Sequence, residues 1–155
     1  MITTLLFDFS RTLLFPKDTN YNGKLNDLYK SIISKKDYNF FEYFTLNDKL
    51  LDYLKPLKNK YVLAVYTTDI IQNDPAVKPK LDSLFPHVFA ANDLGINKKD
   101  SQGYNLIATT LGQKSEEILF IDDTMENLEA AQKAGLQTVQ FISNKQLFEV
   151  LKSKL

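Results

Sequence analysis

The sequence contains no cysteine, which excludes disulfides, thiolate metal centres and cysteine nucleophiles. A surplus of either charge is also missing, with 19 Lys and Arg against 19 Asp and Glu. Nothing in that balance selects nucleic acid or an anionic membrane as a partner. No apolar run reaches membrane-spanning length, and the apolar N-terminus has no basic flank and is broken by Asp8 and Arg11. These absences predict a soluble, cytoplasmic chain without a signal peptide. There is no repeat, linker or low-complexity tract, so the 155 residues are expected to form one domain with a sizeable core. The only histidine, His87, follows Pro86 and reads as structural or surface.

The chain is organised around residues 3–14, a short apolar, β-branched run that ends abruptly in Asp8, with Thr12 four residues later. So short a run reads as a buried strand. Residues 15–23 are polar and turn-rich. Leu25, Leu28, Tyr29, Ile32 and Ile33 then mark one amphipathic helix over 24–36. Thr45 and Asp48 resemble a capping box for a second helix carrying Leu50, Leu51 and Leu54. Residues 61–66 form a strand apolar on both faces and ending at Thr67. Asp74 before Pro75 reads as a helix start, residues 88–90 as a strand, and Asn92–Asp100 as a polar loop holding Lys98 and Lys99. Ser101 can cap a helix that stops at Gly112, and residues 117–121 form a strand running into Asp122 and Asp123. A helix from Met125 to Ala134, a strand from Thr138 and a helix opened by Ser143 complete the chain.

Alternating strands and helices predict parallel strands joined by right-handed crossovers: an α/β, three-layer, Rossmann-like domain with about five strands. Asp8, Thr67, Lys98 and Asp122/Asp123 each follow a strand, and in a parallel sheet those ends share one edge. Singly, each has an ordinary explanation as a turn former, a solvated lysine or a helix cap. Together they suit phosphoryl chemistry. Asp8 is a potential nucleophile, while Thr67 and Lys98 can hold phosphate oxygens. Crowded carboxylates call for a hard cation such as Mg²⁺, held by Asp8, Asp122 and Asp123.

This pattern resembles the haloacid dehalogenase-like hydrolase superfamily. Asp8-Phe9-Ser10-Arg11-Thr12 matches its first motif, Thr67 its second and Lys98 its third, with Lys99 where many relatives have Pro. Residues 121–135, beginning Ile-Asp-Asp-Thr, look like the fourth motif in its Asp-Asp form. The resemblance implies that Asp123 binds the metal directly, that Asp122 supports it, and that Asn127 stands where relatives carry Asp or Asn. It also implies that Asp8 and the Ser10 carbonyl are metal ligands and Mg²⁺ the cofactor.

Three departures qualify that expectation. Ser10 replaces the Asp that, by resemblance, acts as general acid and base, and serine cannot fill that role near neutral pH. Arg11 replaces the usual Gly, and its charge can help bind an anion. Residues 15–45 leave room for about one helix where relatives insert a larger cap. The expectation is a Mg²⁺-dependent phosphatase with a minimal cap, slow or limited to good leaving groups, acting on a phosphorylated small molecule or macromolecule. The alternative is a non-enzymatic phosphate- or partner-binding module. A receiver domain fits less well, because its acidic pair belongs after the first strand.

Overall fold

A computed structural model describes residues 1–155. Strand β1 (Thr4–Phe7) is followed by β2 (Leu14–Pro16), helix α1 (Leu25–Ile32), the single turn α2 (Phe40–Tyr43) and β3 (Phe44–Leu46). Helix α3 (Asp48–Leu54), β4 (Val62–Thr67), α4 (Lys78–Asp82), β5 (His87–Ala90) and the short α5 (Ala91–Leu94) come next. The chain closes with α6 (Ser101–Leu111), β6 (Ile118–Asp122), α7 (Met125–Lys133), β7 (Gln137–Gln140) and α8 (Asn144–Lys154). No helix is long and apolar enough to cross a membrane.

Five strands form one parallel sheet in the order β5-β4-β1-β6-β7. The central place of β1 follows from its sequence, because all four of its residues are buried and both its edges are paired. Its side chains alternate between two cores. Leu5 and Phe7 join Leu63, Val65, Leu119 and Ile121 beneath α3 and α8, whereas Leu6 joins Tyr66 and Phe120 beneath α6 and α7. The chain therefore leaves β1 toward one face and β6 toward the other. A crevice opens at the carboxyl ends of those two strands.

The excursion between β1 and β4 differs from its sequence reading. The helix expected over 24–36 is realised only as Leu25–Ile32, and beside it β2 and β3 pair antiparallel, with Leu14 opposite Leu46 and Pro16 opposite Phe44. Thr45 lies inside β3, not at a helix start; Asn47 caps α3 instead, accepting the Leu50 N–H at 3.3 Å. Farther along, Asn92 belongs to α5, and Asp100 caps α6 by accepting the Gln102 N–H at 3.0 Å, which leaves Ser101 as the first helical residue. Gly112 and Ser143 act as expected, Gly112 ending α6 with φ 63° and Ser143 accepting the Gln146 N–H at 3.2 Å.

Asp74 is a further difference. It lies four residues before α4 and is buried. Its carboxylate accepts the Tyr29 hydroxyl at 2.9 Å, the Tyr38 hydroxyl and the Ala76 N–H at 2.8 Å. Burial first, then Asp74, pushes the Tyr29 phenol well above its ordinary range and the Tyr38 phenol up to about 12. Asp74 thus ties the excursion to the sheet. Asp74→Ala is expected to lower unfolding free energy by about 1–3 kcal/mol in a urea titration, since it strands the buried Tyr29 hydroxyl.

Candidate active site

Asp8 is the first residue beyond β1, and its N–H continues the ladder to β6 by donating to the Ile121 carbonyl at 2.8 Å. The chain then turns sharply: Leu13 and Leu14 both donate to the Phe9 carbonyl at 2.9 Å, and Arg11 donates to Leu14 at 2.7 Å. Arg11 takes φ 62°, a left-handed conformation that costs an L side chain energy. Thr12 is buried beneath this turn, while Ser10 and Arg11 line a cleft of about 1050 Å³. Asn47 fixes the turn from below, its Nδ2 donating to the Thr12 carbonyl at 3.0 Å and to Asn144 Oδ1 at 2.8 Å.

The end of β6 places Asp122 directly beside Asp8. Asp122 is fully buried and held by named donors: the Thr124 N–H at 2.8 Å on Oδ1, and Asn127 Nδ2 at 3.0 Å and Lys98 Nζ at 2.8 Å on Oδ2. Asp123 is half-buried and lines the cleft, its Oδ1 accepting the Thr124 hydroxyl at 3.3 Å. One oxygen from each of Asp8, Asp122 and Asp123 lies within 4.8 Å of the others.

Lys98 is 4% exposed and its ammonium bonds both Asp8 and Asp122. Lys99 points elsewhere, exposed and 3.6 Å from Glu126. The pocket around Lys98 is aromatic, with its Nζ 5.6 Å from the Tyr66 ring centre and 5.5 Å from that of Phe120. Tyr104 donates its hydroxyl to the Lys98 carbonyl at 2.8 Å. A Cβ at Gly103 would lie 2.3 Å from the Tyr66 hydroxyl oxygen, so glycine is what lets α6 approach this pocket. In the sequence Tyr66 and Phe120 are only strand residues and Gly103 and Tyr104 carry no signal of their own, because their roles appear once α6 lies against the sheet.

The electrostatics follow from this burial. Desolvation pushes the Asp8 carboxyl up to about 7, with Lys98 pulling it down and Asp122 pushing it further up. Burial, then Asp122, also raises Asp123. For Lys98 burial favours the neutral amine, but the attraction of Asp8 and Asp122 outweighs it and holds the ammonium above its ordinary range. Thr67 ends β4 and is 1% exposed, while the next residues, Thr68 and Asp69, line the cleft. Asp8, Lys98, Asp122 and Asp123 therefore converge, with Ser10 beside them at the cleft and Thr67 at the neighbouring strand end. His87 sits exposed at the start of β5, the opposite end of that strand.

Fold and site define a Rossmann-like α/β protein with a polar cleft at the carboxyl edge of its sheet, where three carboxylates meet one lysine. The chain belongs to the haloacid dehalogenase-like hydrolase family, whose model matches residues 4–135. Among curated proteins it is similar to enolase-phosphatase E1 of Synechococcus sp., 31% identical over 87 residues that make up 53% of this chain and 35% of that protein. It is also similar to enolase-phosphatase E1 of Shewanella denitrificans, 52% identical over 42 residues, 27% of this chain and 19% of that protein. The matched stretch thus spans about a third or less of these relatives. Among solved structures, a predicted HAD-like family hydrolase of Porphyromonas gingivalis has a TM-score of 0.73 at 20% identity, covering 99% of this chain and 97% of that one. A HAD family enzyme of Bacteroides thetaiotaomicron, in complex with magnesium and inorganic phosphate, gives 0.70 at 17%, covering 93% and 96%.

Proposed function

We propose that this chain is a Mg²⁺-dependent phosphohydrolase working through an aspartyl-phosphate on Asp8. The observation that carries the reading is the meeting of Asp8, Asp122 and Asp123 around one ammonium, Lys98. Three carboxylates against one lysine leave two negative charges uncompensated when all are ionised, which one divalent cation balances. The donors are hard oxygens, the set Mg²⁺ prefers. Asp8, Asp123 and the Ser10 carbonyl would hold the ion, with Asp122 bracing the site from behind. When bound it supplies charge neutralisation for a phosphate dianion approaching a carboxylate.

In the first step Asp8 attacks phosphorus, the bond from phosphorus to the leaving oxygen breaks, and that oxygen takes its proton from solvent. In the second, water attacks phosphorus and gives up its proton to solvent while the bond from phosphorus to the Asp8 oxygen breaks, which releases inorganic phosphate and restores Asp8. Lys98 orients Asp8 and, with Thr67, holds phosphoryl oxygens. Residues 15–45 act as a reduced cap, and residues 1–155 form one domain. The phosphatase names of the curated relatives support this reading, as do the magnesium and phosphate of the Bacteroides enzyme.

Release of phosphate from acetyl phosphate and from an aryl phosphate, in Mg²⁺ or in chelator, tests the reading. Slow, Mg²⁺-dependent release from both is expected. No release, with Mg²⁺ still raising the melting temperature, would overturn it in favour of a phosphate- or partner-binding module that lost turnover with the Asp that Ser10 replaces. Lys98→Ala is expected to cost about 3–5 kcal/mol in metal-free urea titrations, because it leaves Asp8 and Asp122 buried against each other. Mg²⁺ is expected to return part of that loss.

A further inference from the structure

Few of the side chains lining the cleft are hydrophobic. Three of its lining residues are hydrophobic, and two of those, Leu25 and Ala91, are 2% and 1% exposed. One wall consists of Arg11 and residues 22–27, including Asn22, Lys24 and Asn26. This wall is anchored. Asn26 Oδ1 accepts the N–H groups of Ile70 and Ile71 at 3.3 and 3.1 Å, and Lys30 of the same helix pairs with Asp69.

Of the four cations lining the cleft, Lys98 is paired with Asp8 and Asp122, and Lys99 faces Glu126. Lys24 and Arg11 have no carboxylate partner. Arg11 donates twice, to the Tyr21 and Gly23 carbonyls, both at 2.9 Å and both through Nη2. Its Nε and Nη1 therefore keep three N–H groups uncommitted. Glycine would take its φ of 62° freely, yet the chain keeps a guanidinium there. Arg11 lies three positions after Asp8, at most about 11 Å of backbone. The wall's exposed carboxylate, Asp27, lies one helical turn beyond Lys24.

Building on the phosphohydrolase reading, we propose that the substrate's leaving group carries a second anionic group, a carboxylate or a second phosphate, received by the free N–H groups of Arg11 with Lys24 beside it. Asn22 and Asn26 offer amides to hydroxyls on the same leaving group. A planar guanidinium held by two carbonyls is pre-set for such a group, and its charge-assisted hydrogen bonds favour an anion over a hydroxyl.

The test is calorimetric binding to Asp8→Asn protein in Mg²⁺, which removes turnover from the comparison. 3-Phosphoglycerate is compared with glycerol 3-phosphate, which has a hydroxymethyl where the first has a carboxylate. Fructose 1,6-bisphosphate is compared with fructose 6-phosphate for a second phosphate. In at least one pair the doubly anionic ligand is expected to bind about tenfold tighter or more. Arg11→Gly, unstrained at this φ, is expected to abolish that preference, and Arg11→Lys to keep part of it. Equal affinities in both pairs, no binding of any ligand, or a preference that survives Arg11→Gly would overturn the proposal. So would equal weakening of both ligands of a pair by Arg11→Gly, the signature of a guanidinium that only fastens Tyr21 and Gly23. If the preference holds while the parent protein releases no phosphate, the phosphohydrolase reading fails and the second-anion site stands.

Discussion

Asp8→Asn is expected to lower Mg²⁺-dependent phosphate release by about 10³-fold or more while leaving the fold intact. The amide is close to isosteric, and its oxygen can still accept from Lys98. Removing the charge also eases the repulsion from Asp122 that helps push the Asp8 carboxyl up to about 7. What is lost is the nucleophile and one charged metal ligand. A melting temperature at or above that of the parent, with phosphate release gone, would assign the loss to chemistry. Release near the parental rate would mean that Asp8 does not attack phosphorus.

Ser10→Asp is expected to act in the opposite direction, raising turnover by about 10²–10⁴-fold, the usual worth of a positioned general acid. Ser10 lines the cleft two residues beyond Asp8, where the chain has already turned back toward β2. A carboxyl there would join three others and take a raised pKa from their charge, which suits an acid working near neutrality. The gain should be largest for alkyl phosphates, whose leaving oxygens most need a proton, and smallest for acetyl phosphate. Steady-state rates on both substrates measure that contrast. An unchanged rate on both would mean that the site lacks more than its acid.

Much of this was legible in the sequence because the strands that carry the chemistry are short, predominantly apolar and end in charge. β1 stops at Asp8, and β6 runs into Asp122 and Asp123. A parallel sheet then brings those ends together whatever the details of the helices. The parts that escaped depend on partners far along the chain. β2 and β3 are three residues each, too short to show a period, and pair across about thirty residues. Asp74 before Pro75 looks like a helix start, yet its hydroxyl partners lie 45 and 36 residues upstream. Lys98, by contrast, was set apart from Lys99 by the motif resemblance, and the packing of Tyr66, Tyr104 and Phe120 gives the physical reason that Lys98 is the one drawn under the sheet edge.

The central claim is that Asp8 carries the phosphoryl group between the two steps. Acid quenching after mixing with acetyl phosphate and Mg²⁺, followed by peptide mass analysis, tests it most directly. Because Ser10 provides no base for the second step, a phosphoryl adduct is expected to accumulate on the peptide containing Asp8, to need Mg²⁺, and to be absent from Asp8→Asn. Phosphate release with no adduct at any quench time, or an adduct that persists in Asp8→Asn, would contradict the account.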